Sequence, residues 1–413
     1  MNPVFNGLTY VIWFFATYYI VFFTIMLFSN HADLYETKRM KPGQKPSVSV
    51  IVSAYNEEAK IAYTIASLKK VAYDKLEFII INDGSSDNTA GVVRQHIRGD
   101  SRFRFIDRKA NKGKAASLNE GISLSKGEFV ACIDADSVIE PRMFQKTLPY
   151  LLEDPKVGAV TVSVAVTHPK NLLHRIIEIE YIVGLSLFLK VFSTFNCVFV
   201  TPGPCSIYRR SMLLEIGGFD EKNITEDLEI AYRIHKAHYR IADCLEAKVK
   251  TIVPPSFGDV YRQRRRWYSG ALQTVYKHRS MLFSNKYGMY GYFLPFNFGL
   301  IFSGLVLFFM TTYLSLKNVF KTLWSYQYTG FNFFDHLFDW HFDIFATRRV
   351  SLVGYTAFMA GIAIMFLSLY ITKTKAKNKK LGIVGYPFLF FLYQIWWIGA
   401  IVAVVRGKKI SWR

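Results

Sequence analysis

Long apolar stretches enclose a central region in which apolar and polar residues alternate. Four stretches lack Asp, Glu, Lys and Arg, and each exceeds the roughly 20 residues that a helix needs to cross a hydrocarbon core. They are Leu8–Ser29, Tyr287–Leu316, Ser351–Thr372 and Leu381–Val405. We expect the first to be a retained membrane anchor, because it is long and aromatic and no small-residue cleavage site follows it.

Basic residues beside these stretches predict their orientation. Lys and Arg are concentrated at residues 38–41, after the first stretch, and at residues 373–380, between the last two. The positive-inside rule places both in the cytoplasm, and residues 30–286 with them. Four spans would put residues 406–413 outside although that tail is basic, so the pattern is compatible with three to five spans.

The central region predicts an α/β domain. Short apolar runs predict buried strands at Val48–Ser53, Leu76–Ile81, Phe103–Ile106 and Phe129–Ile133. Helical patterns lie between or after them at Glu57–Lys70, Asp87–Arg98, Lys114–Ser125 and Pro141–Glu153. Such alternation is typical of a parallel sheet covered on both faces, in which ligands bind at the carboxyl ends of the strands.

The pattern changes after residue 153. It predicts a strand at Val157–Thr167, a helix that begins near Thr225, and amphipathic interfacial helices at Asn171–Thr194 and Phe257–Phe283. The predicted organisation is therefore an anchor (1–30), an α/β domain (31–255), an amphipathic segment (256–286) and a membrane region of about three helices (287–413).

A cluster of acidic residues and histidines in the last region resembles a metal site only at first sight. The polar residues are Asp335, His336, Asp339, His341 and Asp343, and they alternate with Phe334, Phe338, Phe342 and Phe345. Because the phenylalanines recur at helical spacing, we expect an amphipathic helix on the outer membrane face and no metal ligand.

The charge of the chain bears on its partners. The formal net charge is +20, yet no zinc-finger spacing, helix-turn-helix pattern or RNA-binding motif accompanies it, which argues against a nucleic-acid partner. Basic residues near membrane spans instead bind anionic lipid head groups, at about 1 kcal/mol each. Cys132, Cys197, Cys205 and Cys244 show no metal spacing, and we expect reduced, packed thiols.

Asp134 and Asp136 follow the fourth predicted strand. Residues two apart in an extended segment share a face, so both carboxylates can approach one point. Two hard oxygen donors suit Mg²⁺ or Mn²⁺, which keep other positions for water and phosphate oxygens. The alternative is a solvated pair that caps the helix predicted from Pro141. The position of the pair beside the other acidic residues favours a metal site.

Other candidate residues are expected at the same end of the sheet, because Tyr55 and Glu57 follow the first strand and Asp83 follows the second. Asp83 can accept hydrogen bonds from a base or ribose, and the same segment can form a turn in which Ser86 or Asp87 caps a helix. We expect both. Lys114 begins a helix whose free N–H groups favour phosphate, and a solvated lysine is the alternative.

The segment Thr225-Glu226-Asp227 is typical of a helix start, with Thr225 as cap and acids in the first turn. A group transfer to a hydroxyl would nevertheless need a base within hydrogen-bond reach. No other acidic motif between Asp136 and the next apolar stretch meets that need as well. We therefore assign Asp227 as the base, with Glu226 as the alternative.

Gln263 and Trp267 lie one helical turn apart on the second amphipathic segment, with Arg266 beside them. An Arg can bind diphosphate oxygens through two hydrogen bonds, and an indole can stack on a sugar ring. The alternative is an Arg and Trp belt that anchors the helix to lipid. We assign Gln263, Arg266 and Trp267 to the site as gate residues. The lipid role falls to Arg262, Arg264 and Arg265.

Together, Asp83-Gly84-Ser85, Asp134-Ala135-Asp136, Thr225-Glu226-Asp227 and the Gln263–Trp267 motif resemble those of the membrane-integrated processive glycosyltransferases of family 2. That family includes cellulose, hyaluronan, chitin and poly-N-acetylglucosamine synthases, and the resemblance covers residues 48–267. Residues 79–89 and 223–227 are most similar to the poly-β-1,6-N-acetylglucosamine synthases. Hyaluronan-type synthases carry Gly-Asp-Asp in place of residues 225–227, which argues against that branch.

The resemblance implies a Rossmann-like GT-A fold inserted between membrane helices, a UDP-sugar donor, Mg²⁺ or Mn²⁺, and inversion to a β-linkage. By position it implies uridine contacts from Tyr55, Glu57 and Asp83, and a diphosphate contact from Lys114. It implies metal and donor contacts from Asp134 and Asp136. The base would be Asp227, with Glu226 as substitute, and Gln263, Arg266 and Trp267 would close over the diphosphate and acceptor. It also implies a glycan or lipid acceptor and a lipid bilayer. A small membrane partner subunit would complete a polymer channel, since the spans are fewer than in cellulose synthase.

Three functional hypotheses follow. The first is the extension of a polysaccharide from a UDP-sugar, for which UDP-N-acetylglucosamine is the best candidate. This reaction would take place at the cytoplasmic face of the plasma membrane and would be coupled to export. The second is a single transfer that makes a membrane glycolipid, as in the similar ceramide glucosyltransferases. The third is an inactive membrane scaffold or transporter that keeps the fold.

Overall fold

A computed structural model describes residues 3–329 and 349–407 of the 413-residue chain. The chain divides into two compact units. One unit contains Met1–Ile25 and Leu294–Ile364, and the other contains Met26–Phe293 and Met365–Arg413. The second unit holds the predicted α/β domain and every predicted site residue.

A mixed sheet forms the centre of the second unit. Its strands are β1 (Val48–Ala54), β2 (Leu76–Asp83), β3 (Phe103–Arg108), β4 (Phe129–Asp134), β5 (Ser137–Ile139), β6 (Val157–Val166), β7 (Cys205–Arg209) and β8 (Arg240–Thr251). They lie in the order β3-β2-β1-β4-β7-β6-β8-β5. The first four strands and β6 match the predicted apolar runs within two residues.

The prediction of a parallel sheet is correct for half of the strands. β1 is parallel to β2 and β4, and β2 is parallel to β3. The other half is mixed, because β7 is antiparallel to both β4 and β6 and β5 is antiparallel to β8, while β6 is parallel to β8. In β8 exposed charged residues alternate with buried ones, so it lacks the continuous apolar run of a buried parallel strand.

The helices of the second unit agree with the predicted ones, although most begin a few residues later. The helices of the whole described chain are α1 (Pro3–Ser29), α2 (His31–Tyr35), α3 (Ile61–Lys69), α4 (Thr89–Ile97), α5 (Lys114–Leu124), α6 (Met143–Glu153), α7 (Leu172–Ile182), α8 (Leu189–Thr194), α9 (Arg210–Glu215), α10 (Glu226–Lys236), α11 (Phe257–Lys277), α12 (Met289–Thr329), α13 (Arg349–Ile371), α14 (Lys380–Gly385) and α15 (Leu389–Val405). Residues of β1, β2 and β4, including Val50, Ile80 and Phe129, are fully buried and form the core.

The predicted amphipathic helix Asn171–Thr194 consists of α7, a π-helical stretch (Val183–Phe188) and α8. Asn171 caps it, since its side chain accepts a hydrogen bond from the N–H of His174 at 2.8 Å. The acids that interrupt its apolar pattern are paired within the protein: Glu178 with Lys379, and Glu180 with Arg264. The protein itself therefore covers much of this helix.

All four predicted spans are largely helical in the structure. Within the described residues, Met289–Tyr326 is long and apolar enough to cross a membrane, and a bent helix pair is a second candidate. That pair is Lys380–Phe388 and Phe391–Val405, which meet at 50°. The predicted continuous span Leu381–Val405 is therefore interrupted, next to Pro387 in a 3-10 turn.

Two sequence predictions lie outside the described residues. They are the amphipathic helix around Phe334–Phe345 and the end of the basic tail, residues 408–413. The four cysteines are all described, and each is buried with a free thiol, as predicted.

Candidate active site

The carboxyl ends of β1, β2 and β4 meet at one edge, as the sequence predicts. Ser53 lies beside Asp134 in the parallel register, and Ala54 lies beside Asn82. Because β1 has β2 on one side and β4 on the other, the strand order reverses here, where open α/β sheets bind their ligands. The residues that follow these strands therefore share one neighbourhood.

Asp83 faces into the protein. Its side chain is 2% exposed and pairs with Arg108 at 2.8 Å. It also accepts hydrogen bonds from the backbone N–H groups of Lys112 (3.0 Å) and Gly113 (2.8 Å). These contacts hold the loop that leads into α5. The structure thus gives Asp83 a structural role, while its contact with a uridine stays a prediction.

Gly84 and Asp87 shape the turn after β2. Gly84 has a φ of +69°, and a Cβ there would lie 2.6 Å from the carbonyl carbon of Ala110, so only glycine fits. Asp87 accepts a hydrogen bond from the N–H of Thr89 (3.0 Å) at the start of α4. The expected turn is present, but the N-cap position of α4 belongs to Asn88, whose side chain forms no capping hydrogen bond, and Asp87 contacts the helix start from one position earlier.

Tyr55 and Glu57 lie on the loop after β1. Tyr55 is 37% exposed, so its ring is accessible to a ligand. The Glu57 carboxylate lies 2.9 Å from the ammonium of Lys60, which the sequence did not indicate as a site residue. The loop therefore presents an aromatic ring and an ion pair next to the edge of the sheet.

Lys114 lies between two of the predicted acidic motifs. Its Nζ is 2.6 Å from Oδ1 of Asp134 and 2.8 Å from Oε1 of Glu226. Gly203 lies against this pair, since a Cβ there would be 2.8 Å from Nζ of Lys114 and 2.9 Å from Oδ2 of Asp134. Lys114, Asp134 and Glu226 line one pocket together with Asp227. The structure therefore brings together acids that are distant in the sequence.

The charges in this pocket set the protonation of its members. Burial alone would lower the pKa of Lys114, but Asp134 and Glu226 outweigh it and raise that pKa well above its ordinary value. Burial opposes ionisation of Glu226 too, yet Lys114 and Arg266 hold its pKa below the ordinary value. Burial, and then the charge of Glu226, raise the pKa of Asp227 to about 6. Asp227 is therefore the better proton acceptor near neutral pH.

Asp136 lies beside this pocket. Burial, and then the charge of Asp134, raise the pKa of Asp136 to about 6. Its carboxylate is 3.8 Å from Nζ of Lys60 and accepts a hydrogen bond from the hydroxyl of Thr251 at 3.3 Å. Within residues 3–329 and 349–407, no three His, Cys, Asp or Glu side chains form a metal-binding group. Two mutually repelling carboxylates nevertheless fit Mg²⁺ or Mn²⁺, which take their other ligands from water and phosphate.

The start of α10 holds Asp227 in place. The carbonyl of Asp227 accepts hydrogen bonds from the N–H (3.0 Å) and hydroxyl (2.8 Å) of Thr201. The prediction that the side chain of Thr225 caps α10 is wrong. Its hydroxyl donates to Oδ1 of Asn223 at 3.2 Å, because that oxygen already accepts the N–H of Thr225 at 2.9 Å and lies within reach.

One face of α11 lies against the segment Asn223–Thr225. Arg266, Gly270 and Thr274 are each one helical turn apart on that face. Nη1 of Arg266 donates to the carbonyl of Ile224 at 3.0 Å, and the hydroxyl of Thr274 accepts from the asparagine of the segment at 3.0 Å. A Cβ at Gly270 would overlap the threonine of the segment. Glycine therefore lets the helix of the gate residues approach Asp227.

The other gate residues differ in their surroundings. Oε1 of Gln263 is buried and accepts no hydrogen bond from the part of the chain that the structure describes. The ring of Trp267 is covered by the guanidinium of Arg264, 4.1 Å from its centroid. Arg264 is 1% exposed and pairs with Glu180 at 2.7 Å, so the prediction that it faces lipid is wrong. Arg262, by contrast, is exposed.

The model of the family described as Glycosyl transferase family 2 matches residues 49–217, which include β1, β2, β4 and β7. Curated relatives extend the match over almost the whole chain. A poly-β-1,6-N-acetyl-D-glucosamine synthase of Staphylococcus epidermidis is 28% identical over 414 residues, which cover 98% of this chain and 94% of the relative. The chain contains a glycosyltransferase family 2 domain.

Two further comparisons give a second relative and a structural neighbour of this glycosyltransferase. A synthase of the same name from Staphylococcus aureus (strain COL) is 30% identical over 271 residues, which cover 63% of this chain and 66% of that one. A mannosyltransferase from Pyrobaculum calidifontis, solved in complex with GDP-Man and Mn²⁺, matches with a TM-score of 0.61 at 19% identity, covering 97% of this chain and all of the other. The structural likeness shows a GT-A-like glycosyltransferase fold.

Three residues of the site region were not found from the sequence of this glycosyltransferase. Gly203 had a usable signal, because it lies between two prolines, a pattern that marks a tight turn. Lys60 and Glu180 had none, because a lysine near a helix start and a glutamate on an amphipathic helix are usually solvated. Only the folded chain shows that both are paired with residues of other elements.

Proposed function

We propose that this glycosyltransferase moves a sugar, with inversion, from a UDP-sugar to a growing β-linked polysaccharide. The observation that carries this proposal is the pocket in which Lys114 lies between Asp134 and Glu226, with Asp227 beside them. A cation for the diphosphate, carboxylates for a metal and a base for the acceptor then lie in one place. UDP-N-acetylglucosamine is the favoured donor, because relatives at 28% to 30% identity are named as synthases of an N-acetylglucosamine polymer.

The residue roles in this proposal are those that the sequence predicts. Tyr55, Glu57, Asp83, Lys114 and Asp134 bind the donor, Asp134 and Asp136 hold Mg²⁺ or Mn²⁺, Asp227 is the base with Glu226 as alternative, and Gln263, Arg266 and Trp267 are gate residues over diphosphate and acceptor. When bound, a divalent cation would stabilise the negative charge that develops on the departing UDP. Lys114 would exchange carboxylate partners for diphosphate oxygens.

The chemical step then has a simple balance. The oxygen of the acceptor hydroxyl bonds to the anomeric carbon while the bond between that carbon and the UDP oxygen breaks. The hydroxyl proton passes to the carboxylate of Asp227, whose pKa of about 6 leaves it ionised at neutral pH. Arg266 supplies positive charge on the acceptor side of the pocket. Together with Lys114, it lowers the pKa of Glu226.

The proposal includes a membrane location. The apolar helix Met289–Tyr326 and the bent pair near the carboxyl end support it. We propose an anchor at residues 1–30, a cytoplasmic catalytic domain at 31–255, an interfacial segment at 256–286, and a membrane region at 287–413 that couples synthesis to export. A small membrane partner subunit would complete the passage for the polymer.

Product length tests the proposal. The protein, purified in lipid nanodiscs, is incubated with radiolabelled UDP-N-acetylglucosamine and Mg²⁺ or Mn²⁺, and the products are separated by size. We expect a ladder of oligomers that is absent in Asp134→Asn and Asp227→Asn. Asp74→Asn is the matched control, because Asp74 is exposed and pairs with Lys45 at the opposite end of the strands.

Three outcomes would contradict the proposal. A single lipid-linked sugar would replace it with the glycolipid hypothesis, and a panel of UDP-sugars that releases no UDP would support an inactive scaffold or transporter. Equal turnover in Asp134→Asn, Asp227→Asn and the unmodified protein would show that the site lies elsewhere.

A further inference from the structure

A buried ion pair lies behind the gate residues and takes no part in the proposed chemistry. Nη2 of Arg264 on α11 donates to Oε2 of Glu180 on α7 at 2.7 Å. Oε1 of the same carboxylate accepts the hydroxyl of Tyr393 on α15 at 2.6 Å. One carboxylate therefore joins three helices that are far apart in the sequence.

Aromatic rings surround the guanidinium of Arg264. Its central carbon is 4.1 Å from the ring centroid of Trp267, 5.7 Å from that of Trp396 and 5.8 Å from that of Tyr181. A planar cation over an indole face is attracted to the ring and restricts its tilt. The orientation of Trp267 is therefore tied to the orientation of Arg264, which Glu180 sets in turn.

The contact between α11 and α15 does not need this ion pair for packing. Tyr268 stacks on Trp397 with centroids 4.4 Å apart, and Gly399 lets the hydroxyl of Tyr261 approach the backbone of α15. Apolar side chains of similar size would bury the same region at no greater cost, because burying two charges costs desolvation. What the ion pair adds is one charge-assisted hydrogen bond, from Nη2, which fixes the direction of the Arg264 guanidinium and of the indole that it covers.

We propose that Glu180, Arg264 and Tyr393 are positioning residues that hold the indole of Trp267 in the plane that the acceptor sugar stacks on. The inference rests on the proposed function, in which Trp267 contacts the acceptor. It extends that function, because it assigns acceptor recognition to a network reaching into α15. We expect donor binding not to depend on the network, since the proposed donor-binding residues Lys114 and Asp134 lie at the start of α5 and the end of β4.

A paired substitution separates positioning from folding. Glu180→Leu combined with Arg264→Met removes both charges and keeps an apolar filling, so we expect the double variant to fold with a thermal midpoint close to that of the unmodified protein. We expect its affinity for a soluble β-1,6-linked N-acetylglucosamine oligosaccharide to fall about tenfold, as the loss of one aromatic stacking contact predicts. UDP affinity should stay unchanged. Arg262→Met is the matched control, because Arg262 lies on the same helix but is exposed.

A double-mutant cycle adds a readout that a merely structural role would not move. In a Trp267→Ala background, Glu180→Leu with Arg264→Met should have no further effect on oligosaccharide affinity, because the positioned ring is gone. Tyr393→Phe should give a smaller loss than the paired substitution, since one hydrogen bond of Glu180 is removed and the ion pair remains.

Three results would overturn the inference. They are an unmodified protein that does not bind the oligosaccharide, a folded double variant that binds it normally, and a full additional loss in the Trp267→Ala background. Failure of the proposed function is seen separately, as absence of UDP release from any UDP-sugar by the unmodified protein. The binding measurements decide the inference in either case.

Discussion

The cluster around Lys114 and the cluster around Arg264 are built from the same kind of ion pair but differ in access and in balance of charge. Lys114 is shared by two carboxylates, and the side-chain exposures are 13% for Lys114 and 27% for Asp134. Arg264 faces one carboxylate, at exposures of 1% and 10%, and Tyr393 occupies the second oxygen. The cluster around Lys114 has more carboxylates than its lysine can neutralise, so an incoming cation can change which groups are paired. In the second cluster, both oxygens of the one carboxylate are occupied, which suits a contact that persists throughout the reaction.

Removing the proposed base should have the largest effect on the first cluster. We expect Asp227→Asn to lower transfer by about 10²–10⁴-fold while UDP still binds, because the amide cannot accept the acceptor proton. Initial rates with radiolabelled donor and calorimetric titration with UDP measure the two quantities. Lost UDP affinity together with an unchanged rate would refute the assignment of Asp227 as base.

The second cluster should respond in stability. Glu180→Leu alone leaves the Arg264 charge buried and unpaired, so we expect the free energy of unfolding to fall by about 3–5 kcal/mol. Chemical denaturation in detergent or nanodiscs measures this change. Asp74→Asn, which breaks the exposed pair with Lys45, is the control and should not alter stability measurably. An equally small effect of Glu180→Leu would mean that Arg264 is solvated.

Asp136 tests whether the first cluster accepts a divalent cation. We expect Asp136→Ala to weaken UDP binding in the presence of Mn²⁺ by at least about tenfold, because one of the two proposed carboxylate ligands is lost. UDP affinity without added metal should not change. Calorimetry with and without Mn²⁺ compares the two conditions, and equal losses in both would remove Asp136 from the metal site.

The dependence of kcat on pH should give the weakest distinction between the two clusters, but it is the simplest to measure. The raised pKa of Asp227 means that its carboxyl becomes protonated as pH falls through about 6, so kcat should drop about tenfold per pH unit below that value. Above pH 7 this group should no longer limit the rate. A kcat that stays level down to pH 4.5 would mean that Asp227 does not act as the base.

The contrast also separates what the sequence could predict from what it could not. β1 to β4 and the edge that carries Asp134 follow from local apolar runs and from the geometry of parallel strands. The direction of Asp83 does not, because backbone N–H groups at Lys112 and Gly113 compete with any ligand for its carboxylate. That contact exists only after the loop before α5 has folded back onto β2.

The Arg264 cluster illustrates the limit more clearly. Nothing near Arg264 in the sequence distinguishes it from Arg262 and Arg265, since all three lie in one basic run. Its partners Glu180 and Tyr393 lie in distant segments of the chain, one before it and one after it. A helical pattern predicts that these segments are amphipathic or apolar, but it does not predict which faces meet.

The inward-facing carboxylate of Asp83 has a consequence for ligand affinity. It holds the loop before α5, residues 111–113, through two backbone hydrogen bonds and the Arg108 pair. A nucleotide that binds beside this loop need not immobilise it, so the usual entropic penalty for ordering a mobile segment is small. The same contacts therefore give a tighter complex than they would beside a loop that had to be ordered on binding.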